Sequence, residues 1–355
     1  MTTQMVDEDR LQEFMGQMVG YMTGGAMCFG VWLGDELGLY RAMTDGTPRT
    51  AEQIAEATGC NPRLTREWLD AQVAGGLLHW DPSTNRYDMT AEANMALADE
   101  NSPAFVARAM NAFGSMFIDL DKIAGAFRGD GSLAWADHDP CLFSGTEWFF
   151  RTGYRAELPG WIGALDGVTD RLREGGRIAD VGCGHGASAV VMAESFPATE
   201  VHGFDLHEPS IETARRRAGA AGVDERTSFQ QADAKSYDGT YDLICFFDCL
   251  HDMGDPVGAA AYAREHLAED GTVLLVEPFA LDDRRANLTD NPMAALLYTA
   301  SSSICAPNSL SQEVGLALGA QAGEARLREV FEQAGYRSFR RAAETPLNLI
   351  LEAKP

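Results

Sequence analysis

The sequence predicts an α/β protein in two parts, a mostly α N-terminal domain followed by a doubly wound sheet of seven strands whose last pair runs antiparallel. Three observations carry this. From Trp161 onward, short apolar strands alternate with helical segments, as in a parallel sheet covered on both faces. A glycine-rich turn, IADVGCGHG at 178–186, joins the first of those strands to a helix. Before them, residues 33–90 read as successive short helices closed by a hairpin, the pattern of a winged helix-turn-helix. A chain of 355 residues also exceeds the size at which one core usually stops growing.

The elements follow in order. From Phe14 to Gly34, 21 residues carry no charge, about the length that spans a bilayer. Six of them are glycine, Gln17 and Thr23 are polar, and the flanks are acidic where basic residues would set an orientation. Gly16, Gly20 and Gly24 recur every four residues, a face that lets another backbone approach closely. The stretch is therefore expected to be a buried helix at a subunit interface. LGDELGLYRAM (33–43) reads as an amphipathic helix. Thr50 caps the next helix and Gly59 closes it; Asn61, with Pro62 behind it, caps a third that stops at Gly75 and Gly76. LLHW and RYDMT pair across Asp81 to Asn85. The boundaries expected are 1–105 for this domain, 106–160 for aromatic-rich connecting helices and 161–355 for the sheet domain.

Within the sheet domain the strands are RIADVG (177–182), EVHGFDL (200–206), TSFQQAD (227–233), YDLICFFDC (241–249) and TVLLVEP (272–278). An insertion at 282–322 precedes the helix EARLREVFEQAG and the closing strands YRSFRRA and LNLILEA. That insertion is expected to help cover a substrate.

Charge limits the partners. The formal net charge is -25, from 53 acidic against 28 basic residues, and no basic patch offsets it. A phosphate backbone or an anionic membrane would be repelled. Between Arg49 and Trp80 three arginines face four acids (Glu52, Glu56, Glu67, Asp70), so the winged helix lacks the surplus positive charge of a DNA reader. Its expected role is structural or dimerising. Seven cysteines without a paired spacing indicate free thiols in a reducing cytoplasm, and the acidic start MTTQMVDEDR lacks the basic region of a secretion signal.

The chemistry is expected at the carboxyl ends of the strands, where open sheets bind ligands. Gly182, Gly184 and Gly186 let backbone pass close to a ligand, and with Ala187 they also fit the pattern of dinucleotide enzymes. Asp180 tilts the balance toward S-adenosylmethionine (SAM), which brings an amine and a sulfonium, since a carboxylate there sits poorly beside a pyrophosphate; a nicotinamide-dependent oxidoreductase stays the rival reading of this turn. Asp205 suits two ribose hydroxyls, and Asp233, with the Ala234 amide, suits adenine. His185 lies within the glycine turn and is expected to face the cofactor, as is Leu206.

The chain resembles class I SAM methyltransferases of Rossmann-like fold that carry an N-terminal winged-helix dimerisation domain, a group including plant and actinobacterial O-methyltransferases. The resemblance spans roughly residues 20–353 and rests on LGLYRAM, TAEQIAEATG to GGLL, IADVGCGHG, FDL and FFDCLHDMGDP, the last resembling a bacterial branch. It implies a general base at His251, in LHDM, oriented by Glu277, with a second matching acid at Glu324. Met253 replaces the family's aromatic residue, and Phe247 stands where a lysine beside adenine is common.

The residues argue for His251 independently. SAM is already electrophilic, so the protein must place a nucleophile in line and remove its proton, which an imidazole at the lip of the cofactor strand does near neutral pH. No metal is expected, since His251, Asp252 and Asp255 match no strong ligand motif. Trp148, Met293, Asn308 and Gln312, with Ser309, are the candidate acceptor contacts. The expected activity is methyl transfer from SAM to an oxygen nucleophile of a small molecule by a homodimer, with S-adenosylhomocysteine as product. Sulfur, nitrogen or carbon acceptors without a histidine base, and a SAM-sensing transcription regulator, are the alternatives.

Overall fold

In a computed structural model of the chain the structure describes residues 6–355, so the first five residues of the acidic start lie outside the described residues. The backbone forms two compact units: residues up to 114 with 144–152, and residues 115–143 with 153–355. The connecting segment expected at 106–160 is thus divided between the two units.

In the first unit, helix α1 (Glu8–Glu36) opens on Asp7, whose carboxylate accepts the N–H groups of Asp9 and Arg10. Within the chain the expected burial of this helix does not occur. Val31, Gly34 and Asp35 are its buried residues, whereas Phe14, Met15, Met18, Val19, Met22 and Phe29 are exposed. A methyl group added at Gly16, Gly20 or Gly24 would meet nothing within 4 Å. No helix among the described residues is long and apolar enough to cross a membrane. The single helix expected over 33–43 is broken, because Gly38 takes φ +70° and leaves only a 3-10 turn at Arg41–Met43.

Helix α2 (Ala51–Thr58) starts with a capping box, in which Thr50 and Gln53 each accept the other's backbone N–H, and ends at Gly59. Such a cap contributes about 1 kcal/mol. Helix α3 (Pro62–Ala74) is capped by Asn61; strands β1 (His79–Asp81) and β2 (Arg86–Asp88) form the hairpin, and α4 (Ala91–Leu97) follows. Their shared core includes Tyr40, Ile54, Trp68, Leu69, Tyr87 and Phe105. Its polar tips are satisfied: Tyr40 donates to Gln72 Oε1 and Trp68 to the Gly30 carbonyl.

The second unit begins with α5 (Met110–Ile118, from Ser115 on), α6 (Leu120–Arg128) and most of α7 (Pro140–Gly163), and continues with α8 (Val168–Gly175). The alternating part runs β3 (Arg177–Val181), α9 (Ala187–Ser195), β4 (Glu200–Asp205), α10 (Glu208–Ala221), β5 (Thr227–Gln231), β6 (Tyr241–Phe247), α11 (Pro256–Glu265) and β7 (Leu267–Pro278). The insertion is itself helical, with α12 (Arg284–Asp290), α13 (Ala294–Ala300), a π turn (Ser301–Cys305) and α14 (Ala306–Leu310). Helix α15 (Gly323–Gln333) and strands β8 (Ser338–Glu344) and β9 (Asn348–Lys354) close the chain.

The sheet order is β5-β4-β3-β6-β7-β9-β8, parallel except where β9 pairs antiparallel with β7 and β8. Strand β6 is apolar and buried along most of its length, as a central parallel strand must be. Phe246, Val273, Leu275, Leu349 and Leu351 pack beneath α11 and α15, whose Ala260, Ala263, Leu327 and Phe331 complete that layer. Chain direction across the sheet reverses between β3 and β6, and this switch point is where open α/β sheets leave a crevice for a ligand.

Candidate active site

The turn after β3 is built around backbone that side chains would obstruct. Gly182, Gly184 and Gly186 have φ of +78°, +50° and +73°. A Cβ at Gly182 would lie 2.8 Å from Cys249 Sγ and one at Gly186 2.8 Å from Ala214, whereas one at Gly184 meets no protein atom within 4 Å. Gly184 is therefore the point at which the turn faces outward. Beneath it Asp180 is fully buried, with Oδ2 accepting the Ser188 hydroxyl at 2.6 Å and Oδ1 without a hydrogen-bond partner among the described residues. Burial pushes its carboxyl up to about 7 against the opposing Ser188 bond, with nearby Asp205 adding to the rise.

At the end of β4, Asp205 accepts the N–H of Gly184 at 2.8 Å and of His207 at 2.9 Å, so the acid and the glycine turn hold each other. Leu206 is exposed, and the His185 carbonyl is held by Arg217. After β5, Asp233 Oδ1 accepts the Lys235 N–H at 2.8 Å, and half-buried Ala234 packs against the core below. Phe247, ending β6, is buried against Tyr154 with ring centroids 5.4 Å apart.

His251 lies in the turn after β6 and Glu277 near the end of β7; both are buried. Glu277 Oε1 accepts the His251 backbone N–H at 3.2 Å and Oε2 accepts the Nδ1–H of the ring. Burial alone would depress the imidazolium, but the Glu277 carboxylate and the Cys305 thiol beside the ring outweigh it and hold His251 well above its ordinary range. Asp252 is pushed up to about 7, chiefly by burial, with His251 opposing. Asp255 does not converge on His251, since it caps α11 and pairs with Lys235 at 2.9 Å.

Asp248, to which the sequence assigned nothing, adds another acid at this edge. It holds φ +50°, a left-handed conformation costing of order 1–3 kcal/mol in a non-glycine residue. Asn348 donates to its Oδ1 at 2.7 Å and the Tyr154 hydroxyl to its Oδ2 at 3.2 Å. Burial, reinforced by Glu277, raises its carboxyl well above the usual range. An acid directly after a strand was the available signal; the backbone strain left none.

The candidate acceptor contacts lie in several places. Asn308 donates to the Asp252 carbonyl at 3.1 Å and accepts the Trp135 N–H at 2.9 Å. Gln312 accepts the Gly254 N–H at 2.9 Å and Ser309 donates to the Met253 carbonyl at 2.8 Å. These side chains are spent on clamping the loop that carries His251. Met293 is half-buried just before α13. Trp148 sits in the core of the first unit, with the guanidinium groups of Arg108 and Arg151 4.5 and 4.3 Å from its ring. Glu324 is held by Arg328 and Arg341 on α15 and β8, not by His251.

Residues 155–313 match the family described as Methyltransferase domain, and residues 25–99 match the Rv2258c-like winged HTH domain. A 27-O-demethylrifamycin SV methyltransferase of Amycolatopsis mediterranei (strain S699) is 37% identical over 117 residues, 30% of this chain and 43% of the relative. The match spans less than half the length of that relative. Among solved structures, the mitomycin 7-O-methyltransferase MmcR superimposes with a TM-score of 0.70 at 18% identity, covering 98% of this chain and 100% of its own. NcsB1, an O-methyltransferase from neocarzinostatin biosynthesis in complex with S-adenosyl-L-homocysteine and 1,4-dihydroxy-2-naphthoic acid, gives 0.61 at 20% identity over 92% and 95%.

Proposed function

We propose that this chain, composed of a methyltransferase domain and an Rv2258c-like winged helix-turn-helix domain, is a SAM-dependent methyltransferase acting on an oxygen nucleophile of a small molecule, with His251 as general base. The observation that carries this reading is the buried His251–Glu277 pair, which stands at the same sheet edge as an acid-lined glycine turn.

The residues suit SAM chemically. Buried, unpartnered Asp180 Oδ1 matches an ammonium group, and a cation facing it would return its carboxyl to the ordinary ionised state. Gly184 allows close approach, Asp205 has lone pairs left for ribose hydroxyls, and Asp233 with the Ala234 amide would meet adenine. Burial raises the carboxyls of Asp180, Asp205, Asp248 and Asp252, so the edge favours a cationic ligand and disfavours the pyrophosphate of a nicotinamide dinucleotide. When bound, SAM supplies a methyl group made electrophilic by its sulfonium. The chain's part is proton management: Nδ1–H is fixed on Glu277, which turns the Nε2 lone pair toward the acceptor's hydroxyl proton. A positioned base of this kind contributes about 10²- to 10⁴-fold.

The upward shift of His251 favours a second reading, in which an imidazolium binds an acceptor that is already ionised, such as a carboxylate or enolate. The two differ in sign. A base must be neutral, so turnover rises with pH through the His251 titration; an imidazolium must be charged, so turnover falls. Incubation with methyl-labelled SAM and a metabolite extract identifies the acceptor, with 1,4-dihydroxy-2-naphthoic acid as the first defined probe. The pH profile of that reaction then chooses, and His251→Ala with undiminished turnover would remove both readings.

The exposed apolar side of α1 supports a homodimer. A helix that presents Phe14, Met18 and Met22 to water along one side, with Gly16, Gly20 and Gly24 open on the opposite side, offers an apolar surface that a second copy can cover.

A further inference from the structure

Between α6 and α7, residues 129–139 leave regular helix apart from a 3-10 turn at Trp135–Asp137. Buried Asp119 roots this segment: its carboxylate accepts the Asp139 N–H at 2.8 Å and meets His138 Nδ1 at 3.1 Å and Lys122 Nζ at 2.7 Å. From that root the chain reaches two places. Phe143, at the start of α7, sets its ring centroid 4.5 Å from that of His207 and 5.4 Å from that of Trp135. His207 follows β4, and its backbone N–H is held by Asp205, the acid that also accepts the Gly184 N–H. On the other side the Leu133 N–H donates to the Pro307 carbonyl at 3.1 Å and the Trp135 N–H to Asn308 Oδ1 at 2.9 Å. Gly131 comes so close to the same segment that a Cβ there would lie 2.8 Å from Leu310 Cδ1. Asn308 Nδ2 then donates at 3.1 Å to the carbonyl of Asp252, the residue after His251. Because β3 lies between β4 and β6 in the sheet, residues 131–143 form a strap joining the two sides of the crevice at the glycine turn.

We propose that Asn308 is a positioning residue for His251, tying the strap to the loop after β6 so that a ligand seated in the crevice also fixes the loop that carries the base. The inference rests on the crevice taking SAM. A buried primary amide suits the task, since it has both an acceptor and a donor: Oδ1 takes the strap and Nδ2 the loop. The fold of the loop does not depend on this one bond. Ser309 donates to the Met253 carbonyl, Gln312 accepts the Gly254 N–H, and the Leu316 and Gly319 N–H groups donate to the carbonyls of Gly254 and His251. Those bonds tie the loop to the insertion, whereas Asn308 also ties it to the strap. A ligand on Asp205 packs beside His207 and restrains Phe143 and Trp135, and the amide carries that restraint to Asp252 through contiguous contacts. Such coupling is reciprocal, so an acceptor held at the loop tightens the cofactor in turn.

Hydrogen–deuterium exchange of the full chain, followed by peptide mass with and without saturating S-adenosylhomocysteine, tests the coupling without an acceptor. In wild type the ligand should slow exchange at 131–143 and at 250–256 by about 3- to 10-fold, the reach of one neutral hydrogen bond. In Asn308→Ala the slowing at 131–143 should persist while that at 250–256 is lost. Phe143→Leu, which leaves Asn308 in place but removes the ring from His207, should lose both. Unchanged exchange across the strands of the sheet shows that each variant is folded. With an acceptor that turns over, Asn308→Ala should lower kcat about 3- to 10-fold while acceptor KM holds, and adding Phe143→Leu should cost no more than the larger single loss. Slowing at 250–256 that survives Asn308→Ala overturns the role of Asn308, as does a raised KM at constant kcat, which would make it an acceptor contact. A wild type that binds S-adenosylhomocysteine without slowing at 131–143 overturns the strap, and one that does not bind it overturns the SAM reading and this inference with it.

Discussion

Replacing Glu277 by Gln tests the chemistry at the pair on which it depends. The substitution keeps size and a hydrogen-bonding oxygen but removes the charge that accepts both the His251 backbone N–H and the Nδ1–H. Hydrogen bonds to a charged group contribute about 1.5–3 kcal/mol, so losing one from the ring should lower plateau kcat roughly 10- to 150-fold. The sign of the pH effect follows from the balance at the ring. Burial depresses the imidazolium while Glu277 and Cys305 raise it above the ordinary 6.5, so without Glu277 the midpoint must move down. Wild type should therefore gain activity on the alkaline side of 6.5, and Glu277→Gln should reach a lower plateau at lower pH. Stability carries the same signature. A histidine whose folded value is raised contributes stability fully present below 6.5 and lost as pH rises through the folded value, and this slope should flatten in the variant. The assay is initial methyl transfer at saturating SAM and acceptor from pH 5.5 to 10, on the scale of the groups involved, with SAM affinity measured alongside. An unmoved or raised midpoint in Glu277→Gln would refute the pairing as the source of the shift, and wild-type turnover that falls with pH would refute the base.

Other consequences are independent of that pair. Asp205→Ala should weaken SAM by about 1.5–3 kcal/mol in a calorimetric titration, and unchanged affinity would remove Asp205 from the site. Because the Asp180 carboxyl is pushed up to about 7, it is protonated below that value and ionised above it. SAM affinity should therefore rise with pH through that region and flatten in Asp180→Asn; pH-independent binding by wild type would contradict the ammonium contact. Met18→Glu with Met22→Glu places two charges on the exposed apolar side of α1 and should convert a dimer to monomer in sedimentation velocity, without loss of SAM binding. A wild-type chain that sediments as a monomer would dispose of that interface.

The sequence by itself determined the sheet domain and the cofactor side of the candidate site, because both are written in local pattern. A strand, a glycine turn and a helix are contiguous, so IADVGCGHG announces its own geometry, and parallel strands bring Asp180, Asp205 and the loop of Asp233 to one edge whatever packs around them. His251 was legible from the same logic and from family resemblance, and Glu277 from the resemblance alone; each follows or ends a strand at that edge. Tertiary structure decided what distant segments do to one another. Asn308 and Gln312 are polar residues in an insertion, and only packing reveals that their amides are spent on the backbone at 252–254. Asp248 holds a left-handed backbone with the Tyr154 hydroxyl and the Asn348 amide on its carboxylate, which leaves no period or spacing to read. The exposure of α1 was hidden for a related reason: an uncharged, glycine-spaced helix has the same composition whether its partner lies in its own chain or in another.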